Sequence, residues 1–233
     1  MKTLLRLFVA ATLVVTTVGC GDDGGDDDAV VRIIHASPNA PAVDVRLDDD
    51  DTLSAEDEIL ADVPYLGNSG YLEVDAGMNR IQVLVANTST VVIDASLDLE
   101  DDSATTVIAT GLVTNLAPLV LEDDRSAPEA GNAKLRVVHG APSAPTVDVY
   151  VTAPGAALGG TPTLANVPFR GASDYLEVPA GSYRVRVTIA GTQTVAIDTG
   201  AVALAAGDVF TAIAVDNAGG GAPFSVLLAD DAE

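Results

Sequence analysis

From Val30 onward the chain alternates apolar and polar positions with a period of two. Arg184-Val185-Arg186-Val187-Thr188-Ile189 is the cleanest stretch, and it puts Val185, Val187 and Ile189 on one face of an extended strand. Val147-Asp148-Val149-Tyr150-Val151 repeats the pattern. Further strands are predicted over 134–139, 174–178, 193–198, 208–215 and 224–228, with counterparts in the first half. Gly and Pro interrupt the chain between them, where turns must fall.

The pattern occurs twice. Arg32-Ile33-Ile34-His35-Ala36-Ser37-Pro38-Asn39-Ala40-Pro41-Ala42-Val43-Asp44-Val45 returns as Arg136-Val137-Val138-His139-Gly140-Ala141-Pro142-Ser143-Ala144-Pro145-Thr146-Val147-Asp148-Val149. Tyr71-Leu72-Glu73-Val74 returns as Tyr175-Leu176-Glu177-Val178, and Ile93-Asp94 as Ile197-Asp198. The offset is 104 throughout, with 28 identities over 65 ungapped positions, and it slips only near the C-terminus. A period this long denotes a duplicated domain with its own core rather than a solenoid unit. The predicted organisation is therefore a first repeat at 29–124, a linker at 125–133 and a second repeat at 134–233. A short polar linker predicts some relative motion of the two repeats. Six or seven short strands in about 100 residues predict an all-β fold, two tandem antiparallel sandwiches of immunoglobulin-like architecture. The Ala/Val-rich, aromatic-poor composition suits such thin cores.

The N-terminus reads as an address. Lys2 and Arg6 precede an uncharged run, Leu7 to Val18, that ends at Gly19-Cys20. That run is too short to span a bilayer, which needs about 20 residues. Thr17-Val18-Gly19-Cys20 resembles the end of a bacterial lipoprotein signal peptide, with Thr17 where Leu is usual. The resemblance implies cleavage after residue 19 and acylation, palmitate included, of Cys20, the sole cysteine. Gly21 to Asp28 holds only Gly and Asp, so residues 20–28 read as a lipidated cysteine and a self-repelling tether. The expected location is the cell envelope, at the outer membrane or cell surface.

Charge narrows the partners. With 34 acidic against 11 basic residues the net charge is −23, which opposes nucleic acid. The excess is concentrated in the first repeat: residues 29–125 hold 19 acidic and 4 basic side chains, residues 133–233 hold 9 and 5.

The Arg-x-x-His-x-x-Pro-x-x-Pro-x-Val-Asp-Val run and the later Tyr-Leu-Glu-Val resemble the domain of unknown function 4397 family. The resemblance covers nearly all of the chain after the tether. It implies a secreted or surface-attached bacterial protein, often with tandem domains, and supplies no reaction or substrate.

Candidate chemistry is sparse. His35 and His139 are the only histidines, followed nine residues later by Asp44 and Asp148. A His–Asp pair can orient a general base, as in a hydrolase, or begin a metal site. No nucleophile recurs beside it, and Ser37 becomes Ala141. The favoured reading of Arg32, His35, Pro38, Pro41, Asp44 and of Arg136, His139, Pro142, Pro145, Asp148 is structural. In it each histidine bonds to loop backbone between the prolines, and each aspartate pairs with the arginine across strands. Asp48, Asp49, Asp50 and Asp51 form an acidic loop that the second repeat lacks, the candidate for calcium and a calcium-dependent adhesion role. Tyr71 and Tyr175 are candidates for a glycan platform or for a packed sheet edge. No Gly-rich nucleotide loop occurs, so no cofactor is indicated. The expected function is that of a non-enzymatic, lipid-anchored module that binds a protein or glycan at the cell surface.

Overall fold

The computed structural model describes residues 28–48, 53, 54 and 57–232. They form sixteen strands and one 3-10 turn at Val113–Asn115. The first copy contributes β1 (Asp28–Ala36), β2 (Val43–Asp48), β3 (Glu58–Val63), β4 (Asn68–Asp75), β5 (Gly77–Val85), β6 (Val91–Leu99), β7 (Ala104–Thr110) and β8 (Ala117–Glu122). The second contributes β9 (Asn132–His139), β10 (Val147–Thr152), β11 (Leu164–Val167), β12 (Leu176–Pro179), β13 (Gly181–Ile189), β14 (Val195–Leu204), β15 (Val209–Val215) and β16 (Ser225–Asp230). Each copy is a pair of four-stranded sheets: β4-β1-β7-β8 with β3-β2-β5-β6, and β12-β9-β15-β16 with β11-β10-β13-β14. The fold is all-β, two tandem sandwiches. One feature departs from a purely antiparallel reading: β1 pairs parallel with β7, and β9 with β15. A parallel pair needs a crossover, and here the chain crosses through the opposite sheet. The four-residue β11 went unpredicted because Leu164–Val167 is a short edge strand without alternation in its burial.

Alternation decides what each strand buries. Val31 and Ile33 of β1 join Val107 and Ala109 of β7 in the first copy's core, against Val43, Val45 and Ile81 of the facing sheet. Leu135 and Val137 of β9 do the same in the second copy, with Val149 and Val187.

The intervening residues of β1, β7, β9 and β15 are buried as well. Ile34, Ala36 and Ile108 of the first copy form a third core with Val138, Ile213, Val215 and Ala229 of the second. The two like sheets therefore pack back to back, and the molecule is four sheets deep. Burial on both faces explains why Val30-Val31-Arg32-Ile33-Ile34 reads as a nearly unbroken apolar run. This corrects the expected relative motion: the copies share a continuous apolar core, so they form one body. The linker is held too, since the Lys134 ammonium donates to the Asp124 carboxylate at 2.6 Å and to the Ser126 carbonyl at 3.0 Å.

The first residue of the slip in the repeat, from an offset of 104 to 105, has a local cause. β13 pairs with β14 through Arg184↔Ala201 and Arg186↔Asp198, so three residue steps of β14 face two of β13. The extra residue is a β-bulge at Thr199-Gly200, where Gly200 has φ +66°. The first copy pairs Arg80↔Ser96 and Gln82↔Asp94 without a bulge.

Candidate functional site

The repeated polar motif sits where β1 and β9 end and the next loop begins. His35 is fully buried, with Nε2 3.0 Å from the Pro41 carbonyl oxygen and Nδ1 accepting from the Ser37 amide at 3.4 Å. His139 makes the same contacts, with Pro145 and with the Ala141 amide. A donating Nε2–H and an accepting Nδ1 describe a neutral imidazole. Burial pushes both pKa values below 6.5, against a smaller raising contribution from the carbonyl bonds. Each ring stands edge-on to an aromatic neighbour, Tyr65 or Phe169.

The aspartates do not pair with the arginines as expected. The Asp44 carboxylate accepts the amides of Asp62 and Asn87, both at 2.8 Å. That of Asp148 accepts the amides of Asn166 and Gly191, both at 2.8 Å. All four donors have positive φ, between 52° and 71°. Asp44 and Asp148 thus staple two left-handed turns to the strand, where an ordinary sheet ladder cannot reach those amides. Neither aspartate meets its histidine, so the elements of a hydrolytic dyad are spent on backbone.

The arginines instead cross between copies. Arg32 donates to Thr106 of its own copy at 2.8 and 3.0 Å, then reaches Asp231 of the other copy at 2.5 Å and the Asp230 carbonyl at 2.8 Å. Arg136 donates to Thr211, then to the Asp123 carboxylate and the Glu122 carbonyl. Each aspartate is also held by its own copy. Asp123 accepts from Tyr71 at 2.7 Å and Thr106 at 2.5 Å, Asp231 from Tyr175 at 2.8 Å and Thr211 at 2.6 Å. The result is a reciprocal clasp with internal twofold symmetry. Both carboxylates are fully buried, and both arginine side chains are nearly so. Burial, aided by Asp123, raises the phenol pKa of Tyr71; burial also raises that of Tyr175. The guanidinium of Arg32 lies over the Tyr71 ring at 4.6 Å, that of Arg136 over Tyr175 at 4.7 Å. The tyrosines are therefore part of the clasp, not an open glycan platform.

The clasp aspartates were missed in the sequence because Asp123 and Asp231 are 108 apart, outside the ungapped offset. Leu119-Val120-Leu121-Glu122-Asp123 against Leu227-Leu228-Ala229-Asp230-Asp231 was the available signal. A second set of cross-copy bonds closes the other end of the interface. Tyr65 donates to the Asp216 carbonyl at 2.7 Å, Arg170 to the Thr110 carbonyl at 2.8 Å, and Thr110 to the Gly140 carbonyl at 3.0 Å.

Cys20 and Asp49, Asp50 and Asp51 lie outside the described residues; Asp48 ends β2. Among the described residues, no three His, Cys, Asp or Glu side chains assemble into a metal site. The outer sheets carry matched surface ion pairs, Arg80 with Asp94 and Arg184 with Asp198.

The family model of the domain of unknown function (DUF4397) matches residues 29–150 and 153–233. Its first match runs past the linker into β9 and β10. A search among curated proteins found no match. Solved structures with similarity include the Bacillus anthracis TIE protein, at 11% identity and TM-score 0.26 over 81% of this chain and 34% of that one. A family CBM26 module of Eubacterium rectale Amy13K, solved with maltoheptaose, superposes at 11% identity and TM-score 0.27 over 86% and 96%. A streptococcal virulence factor described for alpha-glucan binding gives 11% and 0.28 over 79% and 92%.

Proposed function

This chain belongs to the DUF4397 family, the domain of unknown function, and from that premise we propose that it is a non-enzymatic module of the cell envelope. In this reading a lipid on Cys20 holds it to the membrane, and the rigid two-copy body offers its surface to a protein or glycan partner. One observation carries the reading. Every polar residue that the copies share in the motif is consumed by structure: histidines by loop carbonyls, aspartates by turn amides, arginines by the clasp. Specific recognition then belongs to the surfaces where the copies differ.

The anchor is tested by expressing the full chain in a bacterium fed an alkyne-tagged palmitate. Labelling and membrane fractionation are expected for the wild type and lost in Cys20→Ser. An unlabelled wild type, or a Cys20→Ser chain that still labels, overturns the anchor. Binding is tested by screening the two-copy body, residues 28–233, on glycan arrays and against purified envelope proteins. Turnover of a generic ester or peptide substrate that disappears in His35→Gln or His139→Gln would overturn the non-enzymatic reading.

A further inference from the structure

Between the two sheets of the second sandwich lies a cavity of about 430 Å³, walled by Val137, Val185, Val187, Val202, Ala212 and Phe224 among others. It runs along the strands from Tyr183 and Leu204 at one end to Phe224 and Ser225 at the other, and residues of the edge strands β14 and β16 line it.

Two differences from the first copy accompany it. The first is side-chain size. Where the first copy has Ile33, Ile81, Leu97 and Val107, all buried in its core, the second has Val137, Val185, Val202 and Ala212. Ile81 is fully buried, whereas Val185 and Val202 are half-buried. The second is the β-bulge at Thr199-Gly200, which lies on the cavity lip and bends β14 at that point. Thr199 accepts the Val185 amide at 3.1 Å, so the bulge leaves that donor satisfied. The site is built, not frayed.

We infer that this cavity is a binding site for one straight alkyl or acyl chain that carries an uncharged head. The lining is predominantly apolar, with Tyr183, Asp198, Thr199 and Ser225 as its polar members, which disfavours a sugar or nucleotide body. A space of about 430 Å³ drawn out along the strands suits a single slim chain rather than a helix. From Tyr183 to Val187 the slot runs four strand steps, roughly 13 Å. At the lip Asp198 is already paired with Arg184, which leaves that arginine committed, and the chain's net charge of −23 disfavours an anionic head. The site is independent of the lipid anchor proposed at Cys20.

The test uses the two-copy body, residues 28–233, which holds all sixteen strands and therefore lacks the apolar N-terminus. Titration with the neutral dye N-phenyl-1-naphthylamine, displaced by 1-dodecanol, is expected to show one saturable site. The triple variant Val185→Ile, Val202→Leu, Ala212→Val restores the first copy's residues. It is expected to weaken dye binding at least tenfold while Tm stays level or rises, and Val202→Leu alone gives a milder version of the same change. Absence of saturable binding, or a triple variant that folds and binds as well as wild type, overturns the site. Tighter competition by dodecanoate than by dodecanol overturns the uncharged head.

Discussion

The repeated side chains have roles that a spacing pattern conceals. His35 and His139 are buried neutral, with folded pKa values lowered by burial below 6.5. Between that value and the lower folded one, the unfolded chain binds more protons. Their contribution to stability is therefore full above about pH 6.5 and falls as pH drops below it. Urea midpoints measured from pH 7.5 to 5 should decline through this window. His35→Gln should make the decline shallower by one proton's worth, whereas an unchanged slope would mean that His35 does not titrate differently on folding. Asp44→Ala and Asp148→Ala remove the acceptor of two turn amides each. A loss of about 1–3 kcal/mol is expected, from about 0.5–1.5 kcal/mol for each of two hydrogen bonds to exposed turn residues, read as a lower urea midpoint.

At the scale of elements, β1 and β9 differ from every edge strand because both of their faces are covered. Odd positions of β1 feed the first core, while Ile34 and Ala36 feed the core shared by the copies. Amides of β1, β7, β9 and β15 are therefore expected to exchange slowest with deuterium, and those of the edge strands β3, β6, β11 and β14 faster. Ile34→Ala should cost about 2–5 kcal/mol, as deletions in a closed core do. Val91→Ala, at an exposed position of β6, should stay within about 0.5 kcal/mol. Equal losses at the two sites, read from chemical unfolding, would contradict the back-to-back arrangement.

For the whole molecule, the clasp and the shared core make two sandwiches into one cooperative unit. A single thermal transition is expected by calorimetry despite the duplication. Arg32→Met leaves the Asp231 carboxylate buried without its cation, which typically costs about 3–5 kcal/mol. Arg32→Met with Asp231→Leu should recover part of that loss, because it removes the uncompensated charge, although the Tyr175 and Thr211 hydroxyls lose their acceptor. Two resolved transitions in the wild type, or no recovery in the double variant, would show that the copies do not depend on the clasp.

Much of this architecture is legible in the sequence. Period-two alternation and the offset of 104 are properties of neighbouring residues, and they determine strands, duplication and the all-β class. The buried polar role of His35 was legible too, since its partner is six residues away. The rest depended on distance through space. Arg32 pairs with a residue 199 positions on, in the other copy, because a buried cation takes the carboxylate that packing brings to it rather than the one nearest in sequence. The shared core was hidden for the same reason: alternation says that a strand has two faces, but only packing decides whether the second one meets water. The cavity is lined by residues from β9, β13, β14, β15 and β16 together with Phe224, which the sequence carries separately and only the folded sandwich brings together.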